Sequence, residues 1–176
     1  VVLAASVAVI GCGKKEEPKA AAPAPAPAAA APAPAPKPEM VVKIGHVAPL
    51  TGTIAHLGKD NENGARLAVD DANAKKIEID GKVVKFELLG EDDQADPKTG
   101  TVVAQKIVDA KVAGVVGHLN SGTTIPASAI YSQAGLPQIS PSATNPKYTQ
   151  QGFKTAFRVM ANDVQQGSVV GTYAAK

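Results

Sequence analysis

The pattern of apolar and polar positions changes character near residue 39. Over 41–50, VVKIGHVAPL is β-branched and nearly uncharged, then breaks at Pro49 and Gly52. A run of that length closed by turn residues predicts a buried strand. Ala65, Ala68, Val69 and Ala72 follow at i, i+3, i+4 and i+7, the stripe of an amphipathic helix. KVVKFELLG, over 82–90, predicts a second strand. Asp96-Pro97 sets an N-cap before a proline in the first helical position, and Val103, Ile107 and Ala110 give that helix its apolar face. AGVVG, over 113–117, predicts a third strand, and Ala127, Ile130, Tyr131 and Ala134 form a further helical stripe that Gly135 ends. Segments 137–140 and 156–159 predict a fourth and a fifth strand. Asp163 and Gln166 form a capping-box-like pair opening a last helix.

Strand and helix in this alternation specify an α/β domain: a doubly wound parallel sheet covered on both faces. The expected strand order is 2-1-3-4-5, which reverses between the first and third strands. Ligands of such sheets gather beyond the carboxyl ends of the strands at that reversal. The loops to watch are therefore 49–58, 118–124 and 140–146.

The first 38 residues follow another logic. VVLAASVAVIG is eleven residues without a charge. It is too short for a bilayer, which takes about 20 apolar residues, but it has the length of the apolar region of a secretory signal peptide. Neither the Met nor the basic residues that normally precede such a region are present, so the sequence is expected to begin inside a gene product. Cys12, the sole cysteine, closes Val9-Ile10-Gly11-Cys12. This resembles the bacterial lipobox, whose cysteine is acylated and becomes the mature N-terminus. The alternative, a buried free thiol, sits poorly beside the polar GKKEEPK that follows. Two or more acyl chains would make the membrane anchor stable. Eight of the 14 prolines then fall within 13–38, mostly in Ala-Pro alternation that favours extended polyproline geometry. At about 3.1 Å per residue such a tether reaches about 80 Å. The expected organisation is a signal remnant and lipobox over 1–12, a linker over 13–38, and one domain over 39–176.

Composition removes several function classes. A net charge of +2 and 3% aromatic residues give no basic, base-stacking face, so no nucleic-acid partner is expected. One cysteine excludes an intrachain disulfide and a cysteine-based zinc cluster. The three loops, PLTGTIAHLG, HLNSGTT and SPSATNP, offer hydroxyls, small residues and backbone amides with few ionisable groups. A helix opening near Ser121 or Thr123 presents unpaired N–H groups and a favourable dipole to a carboxylate, and Ser121 adds a hydroxyl. Thr144 can serve an oxyanion or an ammonium, and the Ser142 carbonyl can accept from an ammonium. Gly122, Ser142 and Ala143 are small enough to let a ligand approach the backbone. The same Ser and Thr residues serve equally well as helix and turn caps.

Catalytic motifs are missing from the sequence. No Gly-Lys-Ser/Thr follows the glycine-containing loop after the third strand, and no GxGxxG opens a helix. Ser121 is not in a nucleophile elbow, because Leu119 and Thr123 stand where glycines belong. His46, His56 and His118 share no metal-ligand spacing and are expected to be packed or solvated. Among Glu91, Asp92, Asp93 and Asp96, the last is expected to cap a helix and the others to form a solvated loop. The expectation is a binding domain without catalyst, metal or cofactor.

Four segments carry a resemblance: GHVAPLTGTIAHLGKDNENGARLAVDDANA, DDQADPKTGTVVAQKIV, VVGHLNSGTTIPASAIYSQAGLPQISPSATNP and FRVMANDVQQG. Together they resemble the periplasmic leucine/isoleucine/valine-binding proteins of ABC importers over most of 41–176. The resemblance implies a type I periplasmic binding protein lobe, the first of two that close on a free amino acid by hinge bending. It implies that Ser121 and its neighbouring backbone hold the carboxylate, and that Thr144 and the Ser142 carbonyl meet the charged groups of the amino acid. Leu57, Asn120 and Gly122 fall where the family's cleft wall approaches the ligand. Leu57 replaces an aromatic residue found in some leucine binders, and Asn120 a small sulfur or hydroxyl residue. The implied partners are an amino acid, an inner-membrane permease and, through Cys12, the membrane; the implied compartment is the periplasm. NGARLAVDDAN also suits amide, urea or aromatic-acid binders. An envelope lipoprotein of this fold that regulates a cell-wall enzyme is the alternative from another class.

Overall fold

A computed structural model describes residues 36–176. The signal remnant, Cys12 and all but the last residues of the linker lie outside the described residues. Strands and helices alternate as β1 (Glu39–Ala48), α1 (Ala55–Ala74), β2 (Glu78–Ile79), β3 (Lys82–Asp92), α2 (Pro97–Asp109), β4 (Gly114–Gly117), α3 (Ser121–Gln133), β5 (Gln138–Ser140), α4 (Lys147–Gln150), β6 (Ala156–Arg158) and α5 (Asp163–Ala174). The sheet runs β2-β3-β1-β4-β5-β6. Without β2 this is the expected 2-1-3-4-5 order, and every pairing in it is parallel. β2 is a two-residue strand that turns back antiparallel on the start of β3. Too short to show a period of its own, it does not register in the apolar pattern. Lys37 and Pro38, at the end of the proline-rich stretch, already touch this edge: Lys37 pairs with Glu78 at 2.6 Å, and the Pro38 carbonyl accepts from Val83 N at 2.9 Å.

Alternate residues of β1 face opposite sides of the sheet. On one side α2 and α3 close the main core, in which Val47, Val103, Ala104, Ile107, Val115, Ala127 and Tyr131 are buried together. On the other side lies α1, whose Ala65, Ala68, Val69 and Ala72 stripe faces Ile44, Phe86, Leu88 and Val116 across a groove of about 490 Å³. The stripe thus meets the sheet as its spacing predicts. It leaves apolar surface beside it, however, and Ala68 is exposed.

Local signals fix the helix ends. Asp96 caps α2, its carboxylate accepting from Thr99 N at 2.7 Å, with Pro97 in the first turn. Gly135, with φ at +67°, ends α3. The capping box of α5 stands one residue earlier than the sequence pattern suggests. Asn162 accepts from Gln165 N and Gln165 reaches back to Asn162 N, both at 3.0 Å. Asp163 therefore sits in the first turn rather than at the cap. Asparagine is as good a cap as aspartate, and the Asn162–Gln165 spacing satisfies both orphan N–H groups.

Candidate functional site

The sheet reverses between β1 and β4, where Val47 lies beside Gly117. Three loops rise at this end. The loop after β1 is pinned by Asp92, which accepts from Leu50 N at 2.7 Å, from Gln94 N at 2.9 Å and from the Thr51 hydroxyl. Burial works to raise the Asp92 carboxyl, but these donors outweigh it and hold it below the ordinary carboxylate range. Leu57 sits on the first turn of α1 beyond this loop, 45% exposed.

The loop after β4 leads into α3. Asn120 precedes the helix, and its carbonyl accepts from the N–H groups of Thr123 and Thr124 at 3.1 and 2.9 Å. Among the described residues the N–H groups of Ser121 and Gly122, two of those a helix leaves unpaired at its start, have no partner. A Cβ added to Gly122 would meet nothing within 4 Å, so the approach to them is open. The Asn120 side chain makes no cap, and among the described residues its buried Oδ1 has no partner.

The loop after β5 is laced to this helix start. Asn145 N donates to Ser121 Oγ at 3.2 Å, and Ser142 Oγ donates to the Leu119 carbonyl at 3.1 Å. Ser121 thus keeps its own hydroxyl proton for a further acceptor. Ala143 is fully buried; its N–H donates to Ser140 Oγ at 2.9 Å, and its carbonyl accepts from Arg158 Nη1 at 3.4 Å. The Thr144 carbonyl is taken by Asp163 N at 2.9 Å. The Thr144 hydroxyl and the Ser142 carbonyl have no partner among the described residues, and both residues are half-buried. The bonds from Asn145 N and from Ser142 Oγ join the segment that carries Ser121 and Gly122 to the one that carries Ser142 and Thr144. Leu57 shares no hydrogen bond with these four among the described residues; its carbonyl accepts from Asn61 Nδ2 at 3.4 Å. The link runs through Asn61, one turn along α1, whose Oδ1 lies 3.5 Å from Ser142 Oγ.

Two features behind these loops escape a reading of single residues. Arg158 on β6 holds the third loop from beneath, donating from Nη1 to the Asn145 carbonyl at 3.0 Å and from Nη2 to Thr149 Oγ1 at 3.1 Å. Glu91, Asp92 and Asp93 do not form a solvated loop: the first two end β3. Asp93 is fully buried and lies 2.8 Å from His118 Nδ1, whose Nε2 lies 3.0 Å from the Tyr131 hydroxyl. The pairings of β1 foretell the contact, because Ala48 lies beside Asp92 and Val47 beside Gly117. Asp93 and His118 are the next residues on either side, and their side chains meet over the end of β1. Burial tends to raise the Asp93 carboxyl, but the His118 ring and the Ala95 N–H lower it further than burial raises it. Burial also pushes the Tyr131 phenol far up, so its hydroxyl remains a donor.

The sequence profile described as Periplasmic binding protein matches residues 41–176. This chain belongs to the periplasmic binding protein family. It is 43% identical over 132 residues to the Leu/Ile/Val-binding protein homolog 1 of Brucella abortus, covering 75% of this chain and 35% of that relative. It is 41% identical over 132 residues to the leucine-specific-binding protein of Salmonella typhimurium, with the same shares. The branched-chain amino acid transporter substrate binding protein of Streptococcus pneumoniae, solved with isoleucine, superimposes with a TM-score of 0.71 at 35% identity, over 78% of this chain and 38% of that one. The chain thus spans little more than a third of the length of these periplasmic binding proteins, and its fold is that of a type I lobe.

Proposed function

We propose that this chain forms the first lobe of a two-lobed receptor that captures a branched-chain amino acid in the periplasm and delivers it to an ABC permease. One observation carries the reading: the bond from Asn145 N to Ser121 Oγ, which joins two loops whose unspent groups suit the two charged ends of an amino acid. The Ser121 and Gly122 N–H groups and the Ser121 hydroxyl meet the carboxylate, helped by the positive end of α3. The Ser142 carbonyl accepts from the ammonium, and the Thr144 hydroxyl serves either charge. The exposed Leu57 gives the aliphatic side chain an apolar wall, and Asn120 borders it. Relatives named for leucine, isoleucine and valine favour this ligand class. A second lobe closing over the ligand would expel water and strengthen each charge-assisted bond. The role is transport, without chemistry on the ligand. Cys12, acylated within its lipobox-like sequence, tethers the receptor to the membrane through the Ala-Pro linker. Among the described residues no helix is long and apolar enough to cross a membrane.

Isothermal titration of the two-lobed receptor with leucine, valine, urea and acetamide tests the ligand class. Leucine and valine are expected to bind and the two amides to give no heat. Thr144→Val should weaken leucine binding at least about tenfold, because a buried ligand charge loses a partner. Binding of urea or acetamide alone would move the assignment to the amide receptors. Absence of binding by all four, with a cell-wall enzyme co-purifying, would favour the regulatory alternative.

A further inference from the structure

The groups assigned to the ligand stand on two loops that follow different strands, and their spacing decides whether one small zwitterion can reach both. A chain of buried groups spans the gap from behind. It begins at Asp93, whose Oδ2 takes the hydrogen bond of His118 Nδ1 at 2.8 Å. His118 Nε2 lies 3.0 Å from the Tyr131 hydroxyl, so the ring is held from both sides. The backbone carbonyl of His118 then accepts two hydroxyls, from Ser140 at 2.8 Å and from Thr124 at 3.1 Å. Ser140 Oγ turns its two lone pairs to the third loop, accepting from Ala143 N at 2.9 Å and from Ser142 N at 3.4 Å. Asp93, His118, Tyr131 and Ser140 are all fully buried, so none can touch a ligand.

We infer that Asp93, His118 and Ser140 are positioning residues of the amino-acid site: they fix the distance between the helix-start N–H groups and the 142–144 loop, and so set affinity without contacting the ligand. The inference rests on the site proposed above. Hydrogen bonds weaken steeply with distance and angle, so a small shift of one loop against the other impairs every contact made across the gap. A buried network whose members are all paired holds one arrangement; removing a member leaves a buried group unsatisfied and frees the loops to drift. Ser140 is the link on which both loops meet, since its hydroxyl donates to one and accepts from the other.

The test uses the two-lobed receptor with Ser140→Ala, Asp93→Asn, Thr144→Val and the double variant Ser140→Ala/Thr144→Val, measuring leucine affinity by titration and thermal midpoint without ligand. Ser140→Ala removes a single oxygen, and Asp93→Asn keeps the shape of the side chain, so one variant can replace the other should either fail to fold. The expected result is leucine binding about tenfold weaker in both single variants at temperatures well below their midpoints. The double variant should lose less affinity than the product of the two single losses, because part of what Ser140 does is place the Thr144 loop. A lowered midpoint with leucine affinity within about twofold of the parent would overturn the inference, reducing the network to a fold-stabilising one. Full additivity of Ser140→Ala with Thr144→Val would overturn it too. If Thr144→Val and Ser121→Ala leave affinity unchanged, the site itself is misplaced. If they weaken binding while Ser140→Ala and Asp93→Asn do not, the site stands and only the positioning role falls.

Discussion

His46 shows at the scale of one residue how burial governs chemistry here. It is fully buried on the α1 side of β1, and neither ring nitrogen has a partner among the described residues. Burial lowers its pKa below 6.5, opposed by the Glu62 carboxylate and aided by His118 and Arg66. The folded chain therefore keeps His46 neutral, while the unfolded chain protonates it near the ordinary value. Unfolded molecules bind the extra proton, so stability is complete above about pH 6.5 and declines as pH falls through that value toward the lowered folded one. Asp92 and Asp93, with depressed folded values, act in a separate window: their contribution is present above their ordinary value of 3.8 and is lost in stronger acid. The urea midpoint should accordingly fall between about pH 7.5 and 5.5, and His46→Val should flatten that fall whatever its effect on absolute stability. A midpoint flat across this range, or an unchanged slope in the variant, contradicts the assignment.

Among the elements, two glycines of α1 make opposite predictions from the same propensity. Replacing a mid-helix glycine with alanine usually gains about 1 kcal/mol. Gly64 has nothing within 4 Å of an added Cβ, so Gly64→Ala should raise the thermal midpoint. At Gly58 an added Cβ would collide with the Pro49 carbonyl oxygen, because α1 crosses the start of the first loop there without clearance. Gly58→Ala should lower the midpoint despite the propensity gain, by more than Gly64→Ala raises it. Equal gains at both sites would contradict the close approach.

These cases also show what the sequence makes legible. Strand, helix and strand order follow from apolar periodicity, and caps such as Asp96 are read directly, because both are local. Contacts across the chain are not. Asn73 bonds both the N–H and the carbonyl of Phe86, at 2.8 and 2.9 Å, standing in for the strand that β3 lacks beyond β2. Nothing in the pattern around Asn73 announces that role. The short α4 is equally silent, having a single buried residue, Tyr148, whose hydroxyl donates to the Gln138 carbonyl at 3.2 Å. At the site, Ser121, Ser142 and Thr144 are legible as loop residues of suitable chemistry. Asp93 and Arg158 are not, because their work depends on partners 25 and 13 to 15 positions away.

For the whole molecule, the same sheet offers two kinds of surface. The face under α2 and α3 is closed by a packed core. Beside α1 the groove stays apolar, and α5 exposes Val164, Val169, Val170 and Tyr173. The strand tips are different again, polar and laced, and the 120–122 and 142–144 segments there keep hydrogen-bonding groups without a partner among the described residues. If a free amino acid is held there, its two charges must be read by two loops at once. The most direct measurement is a map of backbone amide shifts in the isotope-labelled two-lobed receptor titrated with leucine, with isocaproate, which lacks the ammonium, and with isoamylamine, which lacks the carboxylate. Leucine should shift the amides of Ser121, Gly122 and Thr144 together, isocaproate should reach Ser121 and Gly122 with far weaker affinity, and isoamylamine should leave those two unmoved. Leucine binding that shifts amides elsewhere and leaves Ser121, Gly122 and Thr144 in place would contradict the account.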